Sequence, residues 1–182
     1  MNDILDAALE YASYGLKVFP VGMRDGRKVP LTMHGFKDAT SVAATIAGAG
    51  WFDPSKIGGE YIGMVHEPFM ILDVDGQEGR DTLERIYHNI PKPSAVQRTV
   101  SGGLHLIYPA DPKIASRKIR YLDGIDLLAG DSGYFIVAPS KGYTWLEGSG
   151  SVLGELARDY QESRQSQSGA TESASGGPFV NP

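Results

Sequence analysis

The stretch Phe69-Met70-Ile71-Leu72-Asp73-Val74-Asp75-Gly76 decides how this chain is read. A run of large apolar residues ends in two acids one residue apart, followed by glycine. That pattern predicts a strand leaving its sheet through a turn. Alternate strand side chains share a face, so Phe69, Ile71, Asp73 and Asp75 fall on one side and Met70, Leu72 and Val74 on the other. Two stacked carboxylates repel unless a cation lies between them. Hard oxygen donors of this kind suit Mg²⁺ or Mn²⁺, which are commonly held by one or two carboxylates plus phosphate oxygens. The expected chemistry is phosphoryl or nucleotidyl transfer.

Two blander readings compete at this spot. Asp-x-Asp-Gly can be no more than a strand-ending turn. Asp73, Asp75, Gln77, Asp81 and Glu84 also fall on the ligand positions of a calcium loop. The calcium reading fails because Glu78 stands where that loop requires glycine, and because a strand rather than a helix leads into it.

At 182 residues the chain can bury one ordinary core. Its hydrophobic share of 41% and charged share of 21% are those of a soluble protein. No apolar run approaches the ~20 residues of a membrane span, and the N-terminus lacks a basic signal-peptide start. The expectation is therefore no membrane partner and a cytoplasmic location. The absence of cysteine excludes disulfides and thiolate zinc sites and fits a reducing compartment. A net charge of −5 argues against a dedicated high-affinity nucleic-acid binder. It leaves room for an enzyme that holds a template weakly beside metal ions.

Outward from the two acids, residues 3–14 show helical spacing and 17–21 a strand, followed by a polar loop over 24–28. A short helix is expected over 41–49, strands over 62–65 and 69–74, and a helix over 77–89 stopped by Pro91. The second half reads as strands 96–100, 104–108, 124–128 and 134–138, separated by Gly- and Pro-rich turns, then a helix over 151–161. The catalytic domain is drawn at 1–161. Residues 162–182 are rich in Ser, Gly and Gln and are expected to form a disordered tail or linker. The class is α+β, a mixed α/β domain.

Three further features accompany the acids. Ser101-Gly102-Gly103-Leu104-His105 lies between two strands. Paired glycines can turn successive N–H groups toward one anion, Ser101 adds a hydroxyl, and His105 can donate a ring N–H to a phosphate oxygen. A plain hairpin turn and a structural histidine are the alternatives. Gly124-Ile125-Asp126-Leu127-Leu128 carries an acid on an apolar strand, which must face a cation or a donor. An ion pair with Arg117, Lys118 or Arg120 is its bland explanation. Lys141, after the strand 134–138, can reach a triphosphate or remain a solvated surface lysine.

The order of these pieces resembles a known family. Leu-Asp-Val-Asp-Gly (72–76), Thr-Val-Ser-Gly-Gly-Leu-His-Leu-Ile-Tyr (99–108), Gly-Ile-Asp-Leu-Leu (124–128) and Gly-Tyr-Phe-Ile-Val-Ala-Pro-Ser (133–140) together are similar to the bifunctional DNA primase/polymerase (prim-pol) domain of the archaeo-eukaryotic primase superfamily. Gly15 to Pro20, Lys28 to Pro30, Gly35 to Thr40 and Trp145 extend the likeness over roughly residues 4 to 146. The resemblance implies a primase fold, with an RRM-like catalytic sheet and a smaller N-terminal α/β unit. It implies that Asp73, Asp75 and Asp126 hold two Mg²⁺ or Mn²⁺ ions, and that Ser101, Gly102, Gly103 and His105 bind the incoming nucleotide. Lys141 stands near the family's last loop.

Where relatives carry a basic residue after the third acid, this chain has Leu127-Leu128, so an electrostatic helper is expected from Arg117 or Arg120. A zinc-binding stem is impossible without cysteine. The implied partners are a single-stranded DNA template, nucleoside triphosphates and a replicative helicase, fused or separate. The implied activity is primer synthesis in phage or plasmid replication, in the cytoplasm of a bacterial host. A metal-dependent nuclease and a non-catalytic replication-initiation module remain the competing readings.

Overall fold

The computed structural model describes residues 3–111, 114 and 117–172, without the side chains of 117, 118 and 167–172. Helix α1 (Asp3–Ser13) buries Ala8, Tyr11 and Ala12 and gives way to strand β1 (Val18–Arg24). The polar segment expected as a loop is instead a tight hairpin into β2 (Arg27–Pro30). Asp25 and Gly26 both take positive φ, 51° and 73°, as the two-residue turn with matching twist requires. Arg27 and Lys28 obscured the strand, yet charge is what an edge strand carries against unwanted pairing.

A short 3₁₀ turn (Gly35–Asp38) and α2 (Ala43–Gly48) precede β3 (Tyr61–Val65) and β4 (Phe69–Val74). Helix α3 (Gly76–Ile86) starts directly after Asp75 and ends in a 3₁₀ turn at Tyr87–Asn89. Strands β5 (Ala95–Arg98), β6 (Leu104–Pro109), β7 (Arg117–Leu122), β8 (Ile125–Ala129), β9 (Tyr134–Val137) and β10 (Thr144–Glu147) follow. Strand β7 was not expected, because Arg-Lys-Ile-Arg-Tyr-Leu reads as a charged connection. It forms the outer edge of its sheet, where such a composition is tolerated.

The final helix α4 spans Gly150–Glu172. The boundary drawn at 161 therefore falls inside a helix, and the expected tail is helical over 162–172. Tyr160 and Arg164 both bond the Glu67 carboxylate, at 2.6 and 2.8 Å, tying that helix to the turn before β4. Low apolar content argued for a tail, but these polar anchors carry the helix onward. Residues 173–182 of the expected tail lie outside the described residues.

The strands form two sheets, four-stranded in the order β2-β1-β3-β9 and six-stranded in the order β10-β5-β6-β4-β8-β7. Every pairing is antiparallel. The α+β primase-like class expected from the sequence is the class observed. The four-stranded sheet is not purely N-terminal, since β9 from the second half completes it.

Alternation along β4 separates two cores. Phe69 and Ile71 join Ile107, Leu128 and Ala95 in a cluster shared with the four-stranded sheet, α1 and α4. Leu72 and Val74 join Leu106, Ile125 and Leu127 in a second cluster on the opposite face, with Leu83 of α3. The odd-numbered face of β4, which carries Asp73, thus looks toward the other sheet.

Candidate active site

Residues directly opposed on antiparallel strands share a face, with Cβ atoms ~4.5–5.5 Å apart. On the six-stranded sheet Gln97 stands opposite His105, His105 opposite Asp73, Asp73 opposite Asp126, and Asp126 opposite Arg120. Five polar side chains from five neighbouring strands therefore form one transverse row. His105 Nε2 lies 3.3 Å from Asp73 Oδ1. Arg120 Nε lies 3.3 Å from Asp126 Oδ1.

The middle of this row faces a cleft of about 540 Å³ between the sheets, lined by Lys28, His66, Asp73, His105, Tyr134, Phe135 and Tyr143 among others. Lys28 reaches in from the edge strand β2 and rests over the Tyr61 and Tyr143 rings, 5.6 and 5.3 Å from their centroids. An ammonium over ring faces is attracted by the negative face of each ring, which fixes where this lysine's charge sits. Burial raises the Tyr143 phenol above its ordinary range, and the nearby charges of Asp73, Tyr61 and Asp75 raise it further. That phenol therefore keeps its proton within the field of both acids of the opening motif.

Asp75 sits one residue beyond β4, in extended backbone at the start of α3, with its N–H bonded to the Gly124 carbonyl at 2.8 Å. It neighbours the Ser101–Gly103 turn: a Cβ added at Gly103 would lie 3.5 Å from Asp75 Oδ1. Within that turn Gly102 takes φ +81°, and its N–H is committed to the Thr99 carbonyl at 2.9 Å. Ser101 Oγ lies 3.0 Å from Thr99 Oγ1, and Arg80 Nη1 donates to the Gly102 carbonyl at 3.3 Å. The turn is thus already stitched by its own bonds. Its remaining anion-binding capacity is smaller than two open glycine N–H groups would give.

Lys141 is exposed and paired with Glu60 at 2.7 Å, and that bond raises its ammonium above the ordinary lysine range. It is not among the residues that line the cleft; Lys28 is. The expected helper Arg120 contacts Asp126, while the side chains of Arg117 and Lys118 lie outside the described residues.

Three side chains at the site escaped sequence reasoning. Lys28 and Tyr143 come from distant segments, with no spacing that links them to the acids. Gln97 carried a usable signal: it alternates with Ala95 on the inward face of β5, where a buried amide must have partners.

The acids offer hard oxygens suited to Mg²⁺ or Mn²⁺, and the register brings Asp73 and Asp126 side by side. Among the described residues no three His, Cys, Asp or Glu side chains are already gathered as a finished cation site. Asp73 leans on His105 and Asp126 on Arg120. The Arg120 side chain is 69% exposed, and exposed ion pairs are worth only about 0–1 kcal/mol, so this contact opposes a divalent ion weakly. The donor chemistry fits the ions, with Asp73 and Asp126 opposed on adjacent strands.

Among the described residues no helix is long and apolar enough to cross a membrane. Comparison with curated proteins returns no match. The family model for the bifunctional DNA primase/polymerase N-terminal domain matches residues 8–159, from α1 into the first part of α4. That span includes every residue of the transverse row and of the cleft, and the chain belongs to the bifunctional DNA primase/polymerase family.

Proposed function

We propose that this protein synthesises primers on a single-stranded DNA template by divalent-metal-dependent nucleotidyl transfer, serving phage or plasmid replication beside a helicase. One observation carries the reading: Asp73 and Asp126 oppose each other on adjacent strands with His105 next in line, and Asp73 and His105 line a cleft that also holds Lys28. Asp73, Asp126 and, from the strand end, Asp75 would hold Mg²⁺ or Mn²⁺. When bound there, a pair of such ions supplies charge neutralisation at the triphosphate and a lowered pKa at the attacking hydroxyl.

The chain's own groups then position the substrate. His105 and Tyr143 donate hydrogen bonds toward phosphate oxygens, and Lys28, over the Tyr143 ring, adds a positive charge. Such preorganised charge is the main source of acceleration in phosphoryl-type transfers. Base pairing with the template supplies sequence selection, so the protein needs only backbone contacts, and a net charge of −5 is no obstacle.

A second reading is favoured by the Asp73–His105 and Asp126–Arg120 contacts, which suit a non-catalytic replication-initiation module with structural acids. Incubation with a labelled primer–template, nucleoside triphosphates and Mg²⁺ or Mn²⁺ separates these. The proposal requires lengthening of the label by wild type and its loss in Asp73→Asn/Asp126→Asn. Shortening indicates a nuclease. Origin DNA bound without any synthesis indicates the initiation module.

A further inference from the structure

The amide of Gln97 is wholly buried, and each of its atoms meets a group of fixed chemistry. Its Oε1 accepts from the Ala138 backbone N–H at 2.8 Å. Its Nε2 donates to the Ile136 carbonyl at 2.7 Å. A backbone N–H can only donate and a carbonyl can only accept, so these two bonds fix which end of the amide is oxygen and which nitrogen. The second hydrogen on Nε2 points to His105 Nδ1, 2.7 Å away. A ring nitrogen facing an amide N–H must present its lone pair.

We infer that Gln97 is a positioning residue that holds His105 in the tautomer with its proton on Nε2. Gln97 stands on β5 of one sheet, and both backbone partners belong to β9 and the residue after it, at the end of the other sheet. The same amide thus couples the sheets and sets the ring. With Nδ1 occupied, Nε2–H is the donor left to His105. It points along the row to Asp73 Oδ1, 3.3 Å away. In this tautomer His105 offers the cleft a hydrogen. In the other it would offer a lone pair, which repels phosphate oxygens and carboxylates alike. The ring has little room to turn, being 5% exposed and packed edge-on against Phe135 at 5.8 Å between centroids. The consequence for catalysis rests on the reading of His105 given above; the tautomer itself does not.

Long-range ¹H–¹⁵N correlation spectra of histidine-labelled full-length protein test the assignment. The chain has four histidines, and the His105 signals are those lost in His105→Asn. The expected result is an acceptor-type Nδ1 and a protonated Nε2 for His105 in wild type. Gln97→Glu has no N–H to donate and should convert Nδ1 to a protonated nitrogen. Where that buried carboxylate prevents folding, Gln97→Met replaces it, and both His105 nitrogens should shift to averaged positions. Nucleotide affinity should fall about tenfold in the folded variant, with template affinity unchanged.

A protonated Nδ1 in wild type, or a His105 pattern that no Gln97 substitution alters, overturns the inference. The expected tautomer in a protein that extends no primer would sink the primase reading and leave the tautomer standing.

Discussion

Gly103→Ala is the substitution with the most legible consequence. A methyl at this position would lie 2.4 Å from the Val74 carbonyl oxygen and 3.1 Å from Thr99 Oγ1. The first of these atoms cannot step aside, because Val74 is paired with Leu104 on one side and Ile125 on the other. Overpacking of this kind costs about 1–3 kcal/mol, partly offset by ~0.4–1 kcal/mol from the stiffer unfolded chain. The net loss is about 1–2 kcal/mol, or roughly 2–8 °C in melting temperature for a chain of this length.

The residue pushed is the one between Asp73 and Asp75, so activity should fall beyond the loss of folded protein. Displacement of a reacting group by an ångström can cost on the order of 100-fold. Gly102→Ala is the control. Nothing lies within 4 Å of a Cβ there, but φ is +81°, so a cost of about 1–2 kcal/mol arises from backbone conformation alone. Urea unfolding and primer extension on both variants decide the matter. Similar destabilisation is expected from each, with the 100-fold activity loss confined to Gly103→Ala. Equal activity in the two variants would refute the argument that this glycine keeps the acids in register.

The two lysines make opposite predictions: Lys28→Ala should raise the KM for nucleotide about tenfold, consistent with a lost charge-assisted contact, whereas Lys141→Ala should change it less than twofold. Steady-state extension kinetics read both. Burial raises the Tyr11 phenol above its ordinary value of 10.0. The folded state therefore binds that proton more tightly than the unfolded chain, so the stability it provides is complete below pH ~10 and declines as pH rises further. Denaturation midpoints between pH 8 and 11 should show this loss. Tyr11→Phe should reduce it, the raised Tyr143 phenol keeping part of the slope, while costing about 1 kcal/mol at neutral pH through the lost bond to the Ala138 carbonyl.

The strand carrying the acids was legible because alternation and a terminal Asp-x-Asp-Gly are local signals, and β4 runs over the residues predicted, Phe69–Val74. Strands β2 and β7 were not, because edge strands such as Arg27–Pro30 and Arg117–Leu122 carry charges that mimic loops. The opposition of Asp73, His105 and Asp126 depends on registers between strands far apart in the chain, which no single segment encodes. Lys28 and Tyr143 enter the site only once the two sheets face each other. Lys141 was drawn toward the triphosphate by its place in a loop, whereas Glu60 on a separate segment holds it. The helix continuing to Glu172 is stabilised by side-chain bonds to Glu67, a partner invisible to composition.

Anomalous diffraction from crystals grown with Mn²⁺ and a non-hydrolysable nucleoside triphosphate would locate the cations among the three acids. Manganese peaks are expected between the carboxylates of Asp73 and Asp126, with Asp75 drawn in, Arg120 released from Asp126, and phosphate oxygens beside His105 and Lys28. Manganese bound elsewhere, with Arg120 still on Asp126 and His105 still on Asp73, would contradict that placement.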